Sequence, residues 1–145
     1  MKKTLRALVL LLCLFSVSQV QAEIALEETE ITTSFDWSKV MNAIIQVESG
    51  GDAKAKSGKS VGAMQITPVL VAECNNILRS RRSKKRFKLS DRFSVKKSKD
   101  MFLLFQSKYN SKNSVEWAIR SWNGGLNYSK KRTQHYFEKV VSYLR

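Results

Sequence analysis

Apolar residues recur with a helical period in several stretches of the chain, and the clearest stretch follows Asp36. Its apolar positions fall near i, i+3, i+4, i+7 and i+8, the spacing of one helix face. They are Trp37, Val40, Met41, Ile44, Ile45 and Val47. Gly50 and Gly51 follow, where a left-handed residue commonly ends a helix. The pattern predicts an amphipathic helix with Glu48 in its last turn.

Four further helices are predicted downstream. Thr67 and Pro68 mark one start, because Thr is a good N-cap and Pro fits the first helical position. This helix is expected to run to about Leu78. Ser94 is a second candidate N-cap, and apolar stripes at 95–109, 115–122 and 136–144 predict three more helices. Between the first two helices, residues 52–67 are predicted to form a loop with a short extended segment at 61–66.

The N-terminus has the three-part layout of a secretory signal peptide. Residues 1–6 are basic, residues 7–17 are apolar apart from Ser16, and Ala22 ends a stretch with small residues at a cleavage position. The apolar run is shorter than the roughly 20 residues of a membrane span. We therefore expect a signal peptide at 1–22, a flexible leader at 23–35, one domain at 36–145 and no stable membrane anchor. The mature protein would be periplasmic or extracellular.

The chain is strongly basic, with a formal net charge of +14. Removal of Lys2, Lys3 and Arg6 with the signal peptide would lower this charge to +11. Eleven Lys and Arg residues lie at 79–99, here called the basic tract, with Asp91 as its only acid. Two readings stay open: a solvated basic face, or a surface for anionic wall or envelope polymers. Export and sparse aromatic residues in the tract argue against nucleic acid.

The cysteine and histidine content limits the remaining chemistry. Cys74 alone would survive processing, so no internal disulfide is expected, and its apolar neighbours favour a buried thiol. Cys74 and the single histidine, His135, are far apart and do not form a metal-ligand set. We predict no metal and no cofactor.

Short motifs rich in glycine and polar residues follow one another along the chain. In order they are Glu48-Ser49-Gly50-Gly51, Ser57, Gly62-Ala63-Met64-Gln65-Ile66-Thr67-Pro68, Trp122-Asn123-Gly124-Gly125 and Tyr136-Phe137-Glu138-Lys139-Val140. Together they resemble the motifs of the soluble lytic transglycosylases over roughly residues 37–144. The resemblance implies a mainly α, lysozyme-like fold with a small extended element near the active site. It also implies cleavage of peptidoglycan between N-acetylmuramic acid and N-acetylglucosamine.

Glu48 is the candidate catalytic residue. Cleavage of a glycosidic bond needs a proton on the leaving oxygen, and a free Glu with a pKa of about 4.3 is ionised at neutral pH. The site must therefore desolvate the carboxyl. The resemblance implies that Glu48 acts first as acid and then as base, so that the muramyl C6 hydroxyl attacks C1 and a 1,6-anhydro sugar forms.

The resemblance also implies supporting residues. Ser57 and Gln65 match positions that hold substrate or orient the acid, and Asn123 matches an asparagine of the family. Tyr136 matches a tyrosine whose hydroxyl approaches the acid. Met64 is expected to form part of an apolar wall near Glu48.

Four positions depart from the family pattern. Gly124 stands where alanine is usual, and Trp122 stands where tyrosine is common, with a core role favoured over a sugar platform. Ala63 replaces leucine and Thr67 replaces methionine or leucine, a smaller and more polar wall. These changes leave the geometry near Gly124 and the pKa of Glu48 open.

Two alternative functions share the same fold. A muramidase would place a water where the C6 hydroxyl should attack, and Asp52 is the nearest acid to Glu48 in sequence, although a turn-capping role suits it better. A non-catalytic wall-binding protein would keep the fold with a disabled site. The presence of Glu48 argues against the latter.

Overall fold

The computed structural model describes residues 35–145. Its helices are α1 Ser38–Ser49, α2 Pro68–Ser80, α3 Val95–Tyr109, α4 Val115–Gly124 and α5 Lys130–Ser142. A hairpin of β1 Lys56–Ser57 and β2 Ser60–Val61 follows α1, and a 3₁₀ helix, Leu89–Phe93, precedes α3. The predicted mainly α class with a small extended element is confirmed. The predicted signal peptide, and the predicted leader up to residue 34, lie outside the described residues.

Polar N-caps start four of these helices. The side chains of Thr67, Ser94, Ser114 and Ser129 each accept a hydrogen bond from the backbone N–H three residues later. Such a cap satisfies one of the free N–H groups of the first turn. The start of α2 and the cap at Ser94 are as predicted. The helix α2 ends at Ser80, slightly beyond the expected end near Leu78.

The helix α1 is the central element of the core. Its predicted apolar face is buried except for the half-buried Val47, and Ile44 is fully inaccessible to solvent. Phe102 of α3 is also fully buried, with ring centroids 5.6 Å from Trp37 and 5.2 Å from Trp122. Burial of several large side chains contributes about 1.5–3 kcal/mol each, so this packing fixes the position of α1. Gly50 ends the helix in the left-handed conformation, as its sequence predicts.

The hairpin is small and closely tied to the basic tract. In it Lys56 pairs with Val61 and Ser57 with Ser60, and Val61 also bridges to Ile66. The Arg92 guanidinium donates hydrogen bonds to the carbonyls of Lys59 (3.1 Å) and Ile66 (3.2 Å). The tract is therefore partly a structural clamp on the hairpin loop, while most of its other cations are exposed.

Gly62 allows the closest approach between the tract and the loop. Its φ is +80°, and a Cβ built there would lie 1.9 Å from the carbonyl oxygen of Arg92. That carbonyl also accepts a hydrogen bond from the Ser98 hydroxyl at 3.1 Å. Only glycine fits a left-handed residue in contact with another backbone at no steric cost.

Cys74 is fully buried, as predicted, and its thiol donates to the Met101 carbonyl at 3.6 Å. Burial and the neighbouring Glu73 raise the pKa of the Cys74 thiol to about 12. A thiol with so little thiolate at neutral pH is unreactive.

Gly62→Ala is expected to destabilise the protein by about 2–5 kcal/mol, because left-handed strain costs about 1–2 kcal/mol and overpacking about 1–3 kcal/mol. Gly58→Ala is the matched control: Gly58 has a φ of +56° but nothing within 4 Å of its added Cβ. The control should lose only the strain contribution. Urea unfolding of both variants measures the difference. Equal losses would show that contact with Arg92 costs nothing.

Candidate active site

Glu48 and Tyr136 meet although they lie 88 positions apart in the sequence. Glu48 is in the last turn of α1, and Tyr136 is on α5, which packs against α1. The Tyr136 hydroxyl donates a hydrogen bond to Glu48 Oε1 at 2.7 Å. Both side chains are half-buried. The two candidate residues of the first and last motifs thus form one unit.

The surroundings of Glu48 favour its protonated form. Burial raises the pKa of Glu48, and the hydrogen bond from Tyr136 and the charge of Lys139 offset this only in part. The negative end of the α1 dipole acts in the same direction as burial. Burial and the adjacent Glu48 also raise the pKa of Tyr136, so its phenol stays a proton donor. A carboxyl with a raised pKa is suited to general acid catalysis near neutral pH.

Ser49 and Trp122 hold the 62–66 loop beside Glu48. The Ser49 hydroxyl donates to the Ala63 carbonyl at 2.9 Å and accepts from the Gly51 N–H at 3.2 Å. The Trp122 indole N–H donates to the Met64 carbonyl at 3.2 Å. The loop is therefore fixed to α1 on one side and to α4 on the other. Although Ala63 is smaller than the usual leucine, it is buried, and Glu48 remains desolvated.

Gln65 has a backbone conformation that is uncommon outside glycine. Its φ is +49°, and its side-chain amide donates to the Gly62 carbonyl at 2.9 Å. Non-glycine residues with positive φ are a few per cent of all such residues and cluster at functional sites. Gln65 also lines the cavity beside Glu48.

That cavity, here called the groove, has a volume of about 540 Å³. Residues of α1, the 62–67 loop, α2, α3 and α4 line it. Those predicted from the sequence are Glu48, Gln65 and Asn123, and the apolar wall includes Leu70, Phe105 and Trp122. The volume and the largely apolar lining are typical of a ligand site.

The other predicted site residues lie outside this lining. Ser57 is exposed on β1, and the side chain of Met64, in the 62–66 loop, is fully buried. Tyr136 reaches the groove through its hydrogen bond to Glu48. The structure thus brings Glu48, Gln65, Asn123 and Tyr136 together and does not bring Ser57 to the groove.

Trp122 and Gly124 have structural roles at the end of α4. The Trp122 ring packs on Phe102, in agreement with the core role predicted for it, and it also lines the groove. A Cβ on Gly124 would lie 2.7 Å from Tyr128 Cβ and 2.8 Å from Thr133 Cγ2. The alanine usual in the family therefore would not fit here unless these side chains moved. Close packing of α4 on the start of α5 explains this departure.

Glu73 and Tyr109 line the groove and were missed by sequence reasoning. The Tyr109 hydroxyl donates to Glu73 Oε1 at 2.6 Å. Asp52, the acid nearest to Glu48 in sequence, is exposed, and its carboxylate accepts from the Lys54 N–H at 2.7 Å, which is the turn-capping role predicted for it. The available signal was the helical period of α2, which puts Val69, Glu73 and Asn76 on one face.

Residues 35–145 contain neither a candidate metal site nor a candidate membrane-spanning helix. In this part of the chain, no group of three or more His, Cys, Asp or Glu residues could hold a metal ion. None of the helices described there is long and apolar enough to cross a bilayer.

The family model described as "Transglycosylase SLT domain" matches residues 27–142. The chain therefore belongs to the transglycosylase SLT domain family, and the resemblance of its motifs is confirmed. Its class of activity is lytic transglycosylation, and its substrate is peptidoglycan. No curated protein and no solved structure matches the chain.

Tyr136→Phe should raise the pKa of Glu48 further, because the carboxylate loses the hydrogen bond that favours its ionised form. If Glu48 must be protonated at the start of the reaction, the protein would stay active at higher pH. The alkaline limb of the pH–rate profile should therefore shift to higher pH. Carbon-13 NMR titration of Glu48 measures the pKa directly. Tyr143→Phe, at an exposed tyrosine just after α5, is the control. A Glu48 pKa that falls in Tyr136→Phe would contradict this account.

Proposed function

We propose that this protein cleaves the β-1,4 bond between N-acetylmuramic acid and N-acetylglucosamine and leaves a 1,6-anhydro-muramic end. The observation that carries the proposal is the desolvated Glu48 carboxyl, hydrogen-bonded by Tyr136 at the wall of the groove. A protonated carboxyl beside a sugar-sized groove is what the first step of glycosidic cleavage needs.

In the first step, protonated Glu48 donates its proton to the glycosidic oxygen. The bond from C1 to that oxygen breaks, and its electron pair goes to the leaving group. The acetamido carbonyl of the same muramyl ring stabilises the cationic C1. The Tyr136 hydroxyl, 2.7 Å from Glu48 Oε1, stabilises the carboxylate that forms.

In the second step, the Glu48 carboxylate accepts the proton of the muramyl C6 hydroxyl. The C6 oxygen attacks C1 and closes the 1,6-anhydro ring, and Glu48 is again protonated. No water is consumed. One carboxyl with a raised pKa is sufficient for both proton transfers.

The supporting residues divide by location. Gln65 and Asn123 line the groove, and we assign them to substrate binding. Met64 acts through its carbonyl, which anchors the Trp122 indole. Ser57 is exposed on β1, so it would contact only a glycan strand that extends over the hairpin.

Export is part of this proposal, because peptidoglycan lies outside the cytoplasmic membrane. The signal peptide predicted at 1–22 supports it. Periplasmic or extracellular action follows from the location of the substrate.

A muramidase is the second candidate, and Glu73 is the observation that favours it. Hydrolysis needs a second carboxylate to place a water or act as nucleophile. Glu73 lines the same groove as Glu48, whereas Asp52 does not. The mass of the released product separates the two reactions.

Purified peptidoglycan treated with the mature protein should release muropeptides lighter by one water than reducing-end products, as mass spectrometry measures. Glu48→Gln should lower the rate by at least about 10²–10⁴-fold, the usual contribution of a general acid. Asp52→Asn is the matched control and should keep its activity. Reducing-end products would make the protein a hydrolase, and full activity in Glu48→Gln would remove Glu48 from the mechanism.

We also propose that exposed cations of the basic tract bind anionic wall or envelope polymers. Lys84, Lys85 and Arg86 lie in the loop between α2 and the 3₁₀ helix, and all three are exposed. Asp91 is already paired with Lys97 at 3.1 Å, so it does not neutralise this loop. Attraction between such exposed charges is screened by salt.

In a Glu48→Gln background, the double change Lys84→Gln and Lys85→Gln should weaken binding to purified walls by about two- to tenfold at low salt. Each exposed ion pair contributes about 0.2–1 kcal/mol. The matched double variant Lys108→Gln and Lys131→Gln alters two exposed lysines outside the tract. Co-sedimentation at increasing salt measures binding. Equal effects of the two double variants would show that the tract has no special role.

A further inference from the structure

The proposed reaction leaves one charged residue of the groove without a role. Glu73 lies on α2, and its half-buried side chain lines the groove with Asn76 of the same helix. Tyr109 of α3 donates to Glu73 Oε1 at 2.6 Å, and the Asn76 amide lies 3.4 Å from Oε2. The carboxylate is therefore oriented by two neutral donors.

The groove has acidic residues in its lining, whereas the chain as a whole is basic. Of the described residues that line the groove, Glu48 and Glu73 are acidic and none is Lys or Arg, in a chain with a net charge of +14. Arg79, the first cation of the basic tract, is on the same helix but donates to Asn76 Oδ1 at 3.0 Å. Within residues 35–145, no Lys or Arg forms a salt bridge with Glu73.

A carboxylate without a cation keeps acceptor capacity for a ligand. Its two oxygens have about four lone-pair sites, and only one short hydrogen bond, from Tyr109, occupies them. The wall beside it includes the rings of Phe105 and Trp122. The site therefore combines hydrogen-bond acceptors with an apolar ring surface.

Acetamido sugars have the complementary chemistry. Their hydroxyl and amide N–H groups donate hydrogen bonds, and the C–H faces of their rings pack on aromatic side chains. A hydrogen bond to a charged acceptor is stronger than one between neutral groups. Tyr109 also lines a second cavity of about 430 Å³ with Trp117 and Tyr128.

We propose that Glu73, oriented by Tyr109, binds a sugar ring of the glycan strand next to the ring held at Glu48. Its carboxylate accepts hydrogen bonds from hydroxyl or acetamido N–H groups and transfers no proton in the reaction. Tyr109 is a positioning residue that fixes the carboxylate. This inference rests on the proposed function and adds a specificity contact to the same groove.

Binding without cleavage gives the direct test. In a Glu48→Gln background, an N-acetylglucosamine hexamer is titrated into the protein by calorimetry. Glu73→Gln should weaken binding by about tenfold, and Tyr109→Phe by a smaller factor. Glu138→Gln, at an exposed acid of α5 outside the groove, is the matched control and should bind as its parent does. Thermal melting of each variant verifies that it folds.

Kinetics on soluble glycan strands in the otherwise native protein provide the second measurement. Glu73→Gln should raise KM by about tenfold and leave kcat within about twofold. Tyr109→Phe should raise KM less and leave the pH profile unmoved. A loss of kcat beyond a hundredfold with unchanged binding would overturn the inference, because Glu73 would then take part in the chemistry. Unchanged binding and unchanged kinetics would also overturn it, since the pair would be structural only.

The two proposals fail in different ways. Reducing-end products, or full activity in Glu48→Gln, would refute the anhydro reaction whatever Glu73 does. Normal anhydro products from a Glu73→Gln protein with unaltered affinity would refute only the role of Glu73.

Discussion

The hydrogen bond between Glu48 and Tyr136 is the interaction on which the site depends. The partner of the buried carboxyl is a neutral phenol, whereas a cation at the same distance would have favoured the ionised form strongly. The charge of Lys139 also favours the ionised form of Glu48, and it offsets the effect of burial only in part. The core around α1 supports this arrangement, because Ile44 of α1 and Phe102 of α3 are fully buried.

The loop after the hairpin is the second constraint on the groove. It is short and has little regular structure, so its shape comes from contacts with other elements. Ser49, Trp122 and Arg92 each donate a hydrogen bond to one of its carbonyls, from α1, α4 and the 3₁₀ helix. Gln65, whose backbone has a positive φ, lies between the residues that these hydrogen bonds hold. Part of the basic tract thus holds the loop beside Glu48, and other cations of the tract, such as Lys84 and Lys85, are exposed.

The sequence predicts the helices well because each depends on local information. Apolar periodicity, the Thr67 and Ser94 caps and Gly50 are all readable within a few residues. The contact of Gly62 with Arg92 was not predictable, since no period connects two distant loop positions. Glu73 was missed for a related reason: closeness in sequence pointed to Asp52, whereas the groove is assembled by folding. Ser57 was predicted as a site residue but lies outside the groove, because a match to a sequence motif does not give the orientation of a side chain.

The long separation between Glu48 and Tyr136 has a consequence for how the enzyme comes into being. Since α1 precedes α5 in the chain, Glu48 gains its phenol partner only after α5 has been synthesised. A chain interrupted before α5 lacks that partner and the surface that helps to exclude water from the carboxyl. Such a fragment has no Tyr136 hydroxyl to orient the Glu48 carboxyl. The surroundings that raise the pKa of Glu48 are therefore complete only when α5 has packed against α1.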